Sequence, residues 1–187
     1  MNSKLVVGVA GMPGAGKSLV VEAAVQNGYD LAVMGDVVRE EAERQHLEPS
    51  PENIGKIMLE LRQKEGKSVV AKRCILKIAK TERHKVVVDG IRSLSEVEEF
   101  KKHFEEFVLL AVHASPETRF KRLYNRQRSD DPNSWEVFHA RDMRELGVGL
   151  GEAIAMAEYI VVNEEQAEIV KEKIRKTLGE VEEKWMK

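Results

Sequence analysis

The residues Gly11-Met12-Pro13-Gly14-Ala15-Gly16-Lys17-Ser18 decide the fold of this chain. They match the pattern G-x-x-x-x-G-K-[ST] at every fixed position. The uncharged run Leu5–Ala10 comes directly before them and has the composition of a strand buried on both faces. Apolar residues at helical spacing follow as far as Asn27-Gly28, a pair typical of helix ends. The motif therefore lies between a buried strand and a helix.

This context predicts a P-loop, in which backbone amides surround the phosphates of a nucleoside triphosphate. Lys17 can reach the outer phosphates, and the Ser18 hydroxyl can ligate Mg²⁺. A glycine-rich turn without a ligand is the alternative, and the flanking strand and helix argue against it. The predicted nucleotide-binding residues are Gly11, Met12, Pro13, Gly14, Ala15, Gly16, Lys17 and Ser18.

Composition limits the class of protein. The 187 residues are 42% hydrophobic, which suffices for the core of a single domain spanning 1–187. The net charge of −2 provides no overall field that attracts nucleic acid or an acidic membrane. No apolar run has the length of a membrane span, and we expect a cytoplasmic protein. Cys74 is the single cysteine, which excludes an internal disulfide.

Strand-like runs alternate with helical patterns along the chain, which predicts an α/β fold of three layers around a parallel sheet. The segment 36–82 is helical in pattern and separates the second predicted strand from the third. A polar segment at 127–134 separates two further predicted helices. The five predicted strands cover residues 5–10, 31–34, 85–89, 107–113 and 159–163.

Charged residues follow two of the predicted strands. Asp89 ends the third strand, where a carboxylate can hold a water of a Mg²⁺ shell or position a nucleophile, although Asp is also a common turn former. Arg92 is close enough to reach the same crevice. Asp36 and Arg39 follow the second strand and have two interpretations of equal weight. They are either a helix cap with a surface ion pair, or groups that bind an acceptor hydroxyl and its phosphate.

A basic helix is predicted after the fourth strand. Its cations are Arg119, Lys121, Arg122 and Arg126, and Arg128 follows it. Such a helix is usually a solvated face, but arginines on a closing flap can also stabilise the charge of a transferring phosphate. Arg141, one helix later, can join them. Few aromatic residues interleave with these cations, Tyr124 among them, which argues against nucleic acid as a partner.

Four segments carry a resemblance to a known superfamily: Gly11–Ser18, Gly35-Asp36-x-x-Arg39, Asp89-Gly90-x-Arg92, and Arg128-Ser129-Asp130-Asp131 with Arg141 beyond. Together they resemble the adenylate kinase-like nucleotide kinases. In that superfamily the second segment begins the acceptor-binding helices, and its arginine grips the acceptor phosphate. The third also holds this phosphate, and it is one residue shorter here than in the superfamily. The fourth resembles the lid, whose arginines close on the transferring phosphate.

The whole chain resembles more closely an uncharacterised archaeal family of adenylate kinase-related proteins. The similarity includes Met34-Gly35-Asp36-Val37-Val38-Arg39-Glu40-Glu41, Val88-Asp89-Gly90-Ile91-Arg92-Ser93 and Arg128-Ser129-Asp130-Asp131-Pro132. Dephospho-coenzyme A kinases are a second relative, and Ala157–Asn163 resembles their last strand. Their acceptor is a sugar hydroxyl, for which Asp36 would act as base.

The resemblance implies a single P-loop kinase domain that transfers the γ-phosphoryl group of ATP, with Mg²⁺, to a nucleotide-like acceptor. Segment 36–82 would be the acceptor-binding lobe and 127–134 the lid. Alternatives are transfer to a sugar hydroxyl, a nucleotide-dependent switch, or an RNA-associated ATPase; the oligomeric state is open. The implied catalytic residues are Lys17, Asp36, Asp89, Arg122, Arg126, Arg128 and Arg141; the acceptor-binding residues are Gly35, Asp36, Arg39, Asp89, Gly90 and Arg92; and the metal ligands are Ser18 and Asp89.

Overall fold

Five parallel strands form the centre of the structure, a computed structural model that describes residues 4–48, 50–128 and 130–186. In the described residues the spatial order of the strands is β2-β3-β1-β4-β5. All six residues of β1 are buried, because a strand lies on each side of it and helices cover both faces. The predicted five-stranded parallel sheet is thereby confirmed. The strands are β1 (Leu5–Ala10), β2 (Asp30–Val33), β3 (Lys85–Ile91), β4 (Glu106–His113) and β5 (Tyr159–Val162).

Helices cover both faces of the sheet and complete the three layers. Alternate residues of β1 explain the two faces, since Val6 packs with α2 to α5 while Val7 packs with α1 and α9. The helices are α1 (Lys17–Gln26), α2 (Met34–Arg44), α3 (Pro51–Glu65), α4 (Val69–Ile78), α5 (Leu94–His103), α6 (Pro116–Arg126), α7 (Trp135–Val148), α8 (Leu150–Ala155) and α9 (Ala167–Trp185).

The second strand differs slightly from its prediction. It covers Asp30–Val33 rather than 31–34, and Met34 is already the first residue of α2. Met34 is buried in the core on the α2 side of the sheet. This residue is therefore apolar because it packs in the core as part of a helix, and not because it belongs to a strand. Asp36 consequently lies in the first turn of α2, where the partial positive charge of the helix end favours a carboxylate.

Helices α2, α3 and α4 fill the interval between β2 and β3, as the helical pattern of segment 36–82 predicts. Ser50 caps α3, because its hydroxyl accepts a hydrogen bond from the Asn53 amide at 3.2 Å. Gly66 ends α3 with a φ of 95°. Pro49 in this segment and Ser129 in segment 127–134 lie outside the described residues.

Across residues 4–48, 50–128 and 130–186, no helix combines the length and apolar composition needed to cross a bilayer.

The aromatic packing under α5 generates a stability prediction. Phe100 is fully buried and stacks on Phe107, with ring centroids 5.3 Å apart. We expect Phe100→Ala to lower the free energy of unfolding by about 3–5 kcal/mol, because it leaves a cavity. Urea denaturation measures this change. Leu76→Ala is the control, since Leu76 is 64% exposed, and a change beyond about 0.5 kcal/mol there would contradict the assigned burial.

Candidate active site at the carboxyl edge of the sheet

The P-loop connects β1 to α1 and contacts two neighbouring elements closely. Gly14 and Gly16 have φ angles of 80° and 98°, in the left-handed region that glycine tolerates best. A Cβ atom added at Gly14 would lie 2.8 Å from the carbonyl oxygen of Arg119. One added at Gly16 would lie 2.2 Å from the side-chain nitrogen of Asn163. Backbone conformation and lack of space therefore both require glycine at these positions.

Lys17 is the first residue of α1 and its side chain lies against the loop. Its Nζ donates a hydrogen bond to the carbonyl oxygen of Gly11 at 2.8 Å. Burial lowers the pKa of Lys17, and the negative charge of Asp89 opposes this effect. The ammonium group thus lies at the floor of the site, next to a carboxylate.

Two adjoining cavities open at this edge of the sheet. The first, which we call the loop cavity, has a volume of about 310 Å³ and is bounded by the P-loop and by residues of segment 127–134. The second, the lobe cavity, has a volume of about 530 Å³ and extends between α2, α3 and α7. The residues that line both cavities are Lys17, Asp89, Gly90, Arg92, Asp130, Arg141 and Glu145.

Asp89 lies at the junction of the cavities because of an irregularity in β3. The pairing of β1 with β3 shifts register after Asp89, and Gly90 takes a φ of 99°. Oδ1 of Asp89 is buried and has no hydrogen-bond partner among the described residues. An unpartnered carboxylate oxygen suits a hard cation such as Mg²⁺. Ser18, exposed in the first turn of α1, is the other predicted metal ligand.

The described residues contain no group of three or more His, Cys, Asp or Glu side chains arranged to hold a metal ion. Mg²⁺ usually keeps several waters and takes one or two protein oxygens together with substrate phosphates. Asp89 and Ser18 fit such a site, in which triphosphate and water would supply the remaining ligands.

Arg92 is held at two points. Its guanidinium donates to Glu145 at 3.1 Å, and its backbone amide donates to Glu96 at 2.8 Å. Glu96 is 1% exposed and also accepts a hydrogen bond from Arg62 at 2.8 Å. The sequence analysis missed Glu96, although Ser93-Leu94-Ser95-Glu96 has the S-x-x-E pattern of a capping box, which predicts a carboxylate that turns back toward the helix start.

Three of the predicted catalytic arginines border the loop cavity, namely Arg126, Arg128 and Arg141. The guanidinium of Arg126 donates two hydrogen bonds to Asp131, at 2.9 and 2.6 Å. These bonds lower the pKa of Asp131. Arg141 donates to the carbonyl oxygen of Asp130 at 2.8 Å and to its carboxylate at 3.2 Å. The aspartates of segment 127–134 therefore balance the charge of these arginines.

The structure does not bring Asp36 to either cavity. Asp36 lines a separate groove beside β2 and α4, and its carboxylate forms an ion pair with Arg39 in which each side chain is about half exposed. The spacing of three residues on one helix explains the pairing. Of the two interpretations, the surface ion pair matches this geometry, while Arg39 and Gly35 do line the lobe cavity.

Arg122 also lies away from both cavities. Its guanidinium donates to the backbone and side-chain oxygens of Asn163, at 3.0 and 3.2 Å. The Asn163 amide in turn donates to the carbonyl oxygen of Ala15 at 2.8 Å. Arg122 is therefore held behind the P-loop by residues that support the loop.

Further residues of the site were missed in the sequence. Gly55, Arg62 and Arg144 line the lobe cavity, and no local motif distinguishes them from other helical residues. Arg119 was counted among the exposed cations of a basic helix, but it is 4% exposed and pairs with Asp142. The two are 23 residues apart on different helices, so spacing alone carries no signal for this pair.

Comparisons with known proteins agree with this fold. A family model described as an AAA domain matches residues 10–139. Among solved structures, a shikimate kinase from Bacteroides thetaiotaomicron has a TM-score of 0.64 at 15% identity, covering 94% of this chain and 98% of that one. A gluconokinase from Sinorhizobium meliloti has a TM-score of 0.60 at 13% identity, covering 98% and 96%. These likenesses show a kinase-like P-loop fold.

Sequence relatives are much closer. A UPF0200 protein from Hyperthermus butylicus is 50% identical over 161 residues, which are 86% of this chain and 86% of that protein. The chain belongs to the UPF0200 family, whose similar members come from archaea.

Proposed function

We propose that this chain is an ATP- and Mg²⁺-dependent phosphotransferase whose acceptor is a nucleotide-like small molecule. The observation that carries the proposal is that the loop cavity and the lobe cavity adjoin and share Lys17, Asp89 and Arg141. A triphosphate in the first cavity and an acceptor in the second would meet at these shared residues. Phosphoryl transfer requires such an in-line arrangement of attacking and leaving oxygens.

The walls of the lobe cavity favour an acceptor with an anionic end and an apolar body. Arg92 and Arg39 supply positive charge, and the guanidinium of Arg144 forms no hydrogen bond or ion pair with any other described residue. Ile54 and Met58 of α3 line the same cavity and supply apolar surface. A nucleoside monophosphate combines a phosphate with a planar base and fits both properties.

The residues suggest how the transfer proceeds. An oxygen of the acceptor phosphate attacks the γ-phosphorus of ATP, and the bond from that phosphorus to the β–γ bridging oxygen breaks, which leaves ADP. Lys17 and the loop amides hold the β- and γ-phosphates, while Arg126, Arg128 and Arg141 stabilise the charge on the moving group. Mg²⁺ held through Ser18 and Asp89 neutralises phosphate charge when bound. A phosphate acceptor needs no strong base, which agrees with the position of Asp36 outside the cavities.

Transfer to a hydroxyl group is the second candidate. The structural neighbours named above are a shikimate kinase and a gluconokinase, and their names indicate hydroxyl-bearing acceptors. In this case Asp89, rather than Asp36, would be the base, since its carboxylate lies at the junction of the cavities.

The experiment that tests the function measures ADP release from Mg·ATP in the presence of AMP, CMP, UMP, GMP, dephospho-coenzyme A, shikimate, gluconate or no acceptor. We expect strong stimulation by a nucleoside monophosphate. Lys17→Ala should reduce the stimulated rate by about 100-fold or more with an unchanged melting curve, because the ammonium group stabilises transferring charge. Slow release that no acceptor stimulates would favour the switch, and an active Lys17→Ala enzyme would contradict the mechanism.

The lobe cavity can be tested by filling it. Gly55 lies on its wall, and an added Cβ there meets no described heavy atom within 4 Å apart from its chain neighbours and the backbone of its own helix. We expect Gly55→Leu to raise the KM for the acceptor at least about 10-fold without changing ATP affinity, because the new side chain occupies acceptor space.

Gly179 is the matched control for this change. It is an exposed helical glycine of α9 with equally open surroundings, and it lines neither cavity. Gly179→Leu should leave the acceptor KM unchanged, while both changes should slightly stabilise their helices. A wild-type acceptor KM in Gly55→Leu would show that the acceptor binds elsewhere.

Metal binding gives a separate prediction. We expect Asp89→Asn to weaken ATP binding in the presence of Mg²⁺ by about 10-fold or more, because it removes the anionic oxygen at the cavity junction. Calorimetry with Mg²⁺ and again with EDTA measures the two affinities. The affinity without metal should stay equal or rise, and a loss of the same size in EDTA would contradict a metal role.

A further inference from the structure

A buried ion pair connects the P-loop to the helix that follows segment 127–134. Arg119 on α6 donates to both carboxylate oxygens of Asp142 on α7, at 2.8 and 2.6 Å. The side chains are 4% and 10% exposed. The Arg119 guanidinium also lies 4.9 Å from the ring centroid of Phe138, another residue of α7. The planar guanidinium thus fixes the orientation of α7 as well as its distance.

The same guanidinium reaches the P-loop. Its Nη1 donates to the carbonyl oxygen of Pro13 at 3.2 Å, and its Nε donates to that of Ala114, just after β4, at 3.1 Å. Gly14 meanwhile contacts the backbone of Arg119 directly. One side chain therefore makes contact with the phosphate-binding loop, the end of a central strand and α7.

Other residues of α7, close to Asp142 in the chain, border the cavities. Arg141 and Glu145 line both cavities, and Arg144 lines the lobe cavity. Arg141 is the immediate neighbour of Asp142 in the chain. A displacement of Asp142 relative to Pro13 would consequently displace Arg141 relative to phosphates held by the loop.

We propose that the Arg119–Asp142 pair is a positioning element, which sets the place of Arg141 across the loop cavity and contributes to the transfer step rather than to nucleotide binding. The inference rests on the proposed phosphotransfer. Neither Arg119 nor Asp142 lines the loop cavity or the lobe cavity, so neither touches the reacting atoms. Errors of about 1 Å in the placement of a catalytic group can slow a reaction by about 100-fold.

Replacement of both partners can distinguish a role in stability from a role in positioning. A buried ion pair exchanged for apolar residues of similar volume often leaves stability unchanged or increased, whereas removal of one partner leaves a buried charge uncompensated. The double variant Arg119→Met/Asp142→Leu therefore separates stability from positioning. It keeps the interior filled and removes the directional hydrogen bonds to Pro13 and across the pair.

We expect this double variant to melt close to the wild type, with a kcat reduced by about 10- to 100-fold and a KM for ATP within about threefold. The control is Arg73→Met/Glu41→Leu, which replaces an ion pair of 2.7 Å that lines neither cavity, and its kcat should be that of the wild type. Wild-type melting together with wild-type kcat in the Arg119→Met/Asp142→Leu enzyme would overturn the proposal.

Arg119→Lys provides a second measurement that does not depend on the folding of the double variant. Lysine keeps the charge opposite Asp142 but cannot form the two-nitrogen fork. We expect a lower kcat with unchanged Mg·ADP affinity, and an unchanged kcat would overturn the proposal.

Binding of Mg·ADP with and without aluminium fluoride distinguishes this inference from the proposed function. Aluminium fluoride with Mg·ADP mimics the transferring phosphate, so wild-type binding should tighten when it is added, and the variants should lose this tightening. If no acceptor is phosphorylated by the wild type, the proposed function fails, while the tightening still tests the pair. Equal tightening in wild type and variants, or none in the wild type, would overturn the inference.

Discussion

The contact of the P-loop with its two neighbours is the constraint on which the rest of the structure depends. Gly14 lies against the backbone of α6 and Gly16 against Asn163, with no room for a Cβ at either position. The loop carbonyl oxygens accept hydrogen bonds from those neighbours, as Ala15 does from Asn163 at 2.8 Å. The outward side of the loop is thereby tied to the protein, and the concave side stays available to phosphates.

The parallel sheet determines which residues share the site with this loop. β1 lies between β3 and β4, so the loop after β1 has as neighbours the segments that follow these two strands. The end of β3 supplies Asp89, and Arg92 is the first residue after this strand. The segment after β4 leads into α6 with Arg119 and Arg126. Ligands bind at the carboxyl ends of such strands because their connections diverge there. The bulge at Gly90 adds a local adjustment that leaves Asp89 at the junction of the cavities.

The sequence predicts the elements of this fold better than the direction of individual side chains. Long apolar runs predicted β1, β3 and β4 correctly because these strands are buried on both faces. For the short edge strand β2, the predicted boundaries differ from the observed ones by one residue. For Asp36 and Arg39, spacing allowed two interpretations, and the choice depended on which way a half-exposed carboxylate turns in the first turn of α2. Arg119 shows a second reason why the direction of a side chain is not predicted from the sequence. Its charge predicted exposure, but its partner Asp142 comes from another helix, and local patterns do not report such pairing.

Most buried polar and charged side chains lie near the candidate active site. The buried polar and charged side chains of the described residues are Ser93, Glu96, Glu99, Arg119, Asp142 and Asn163. Glu99 receives a hydrogen bond from Ser68, but most of the others lie next to the P-loop or just after β3. Charge in the interior adds little to stability, since its desolvation offsets its attraction. Hydrogen bonds are directional, however, and they orient neighbouring backbone more narrowly than apolar contacts do. Their concentration at one edge of the sheet therefore reflects orientation of the residues around the two cavities rather than stability of the core.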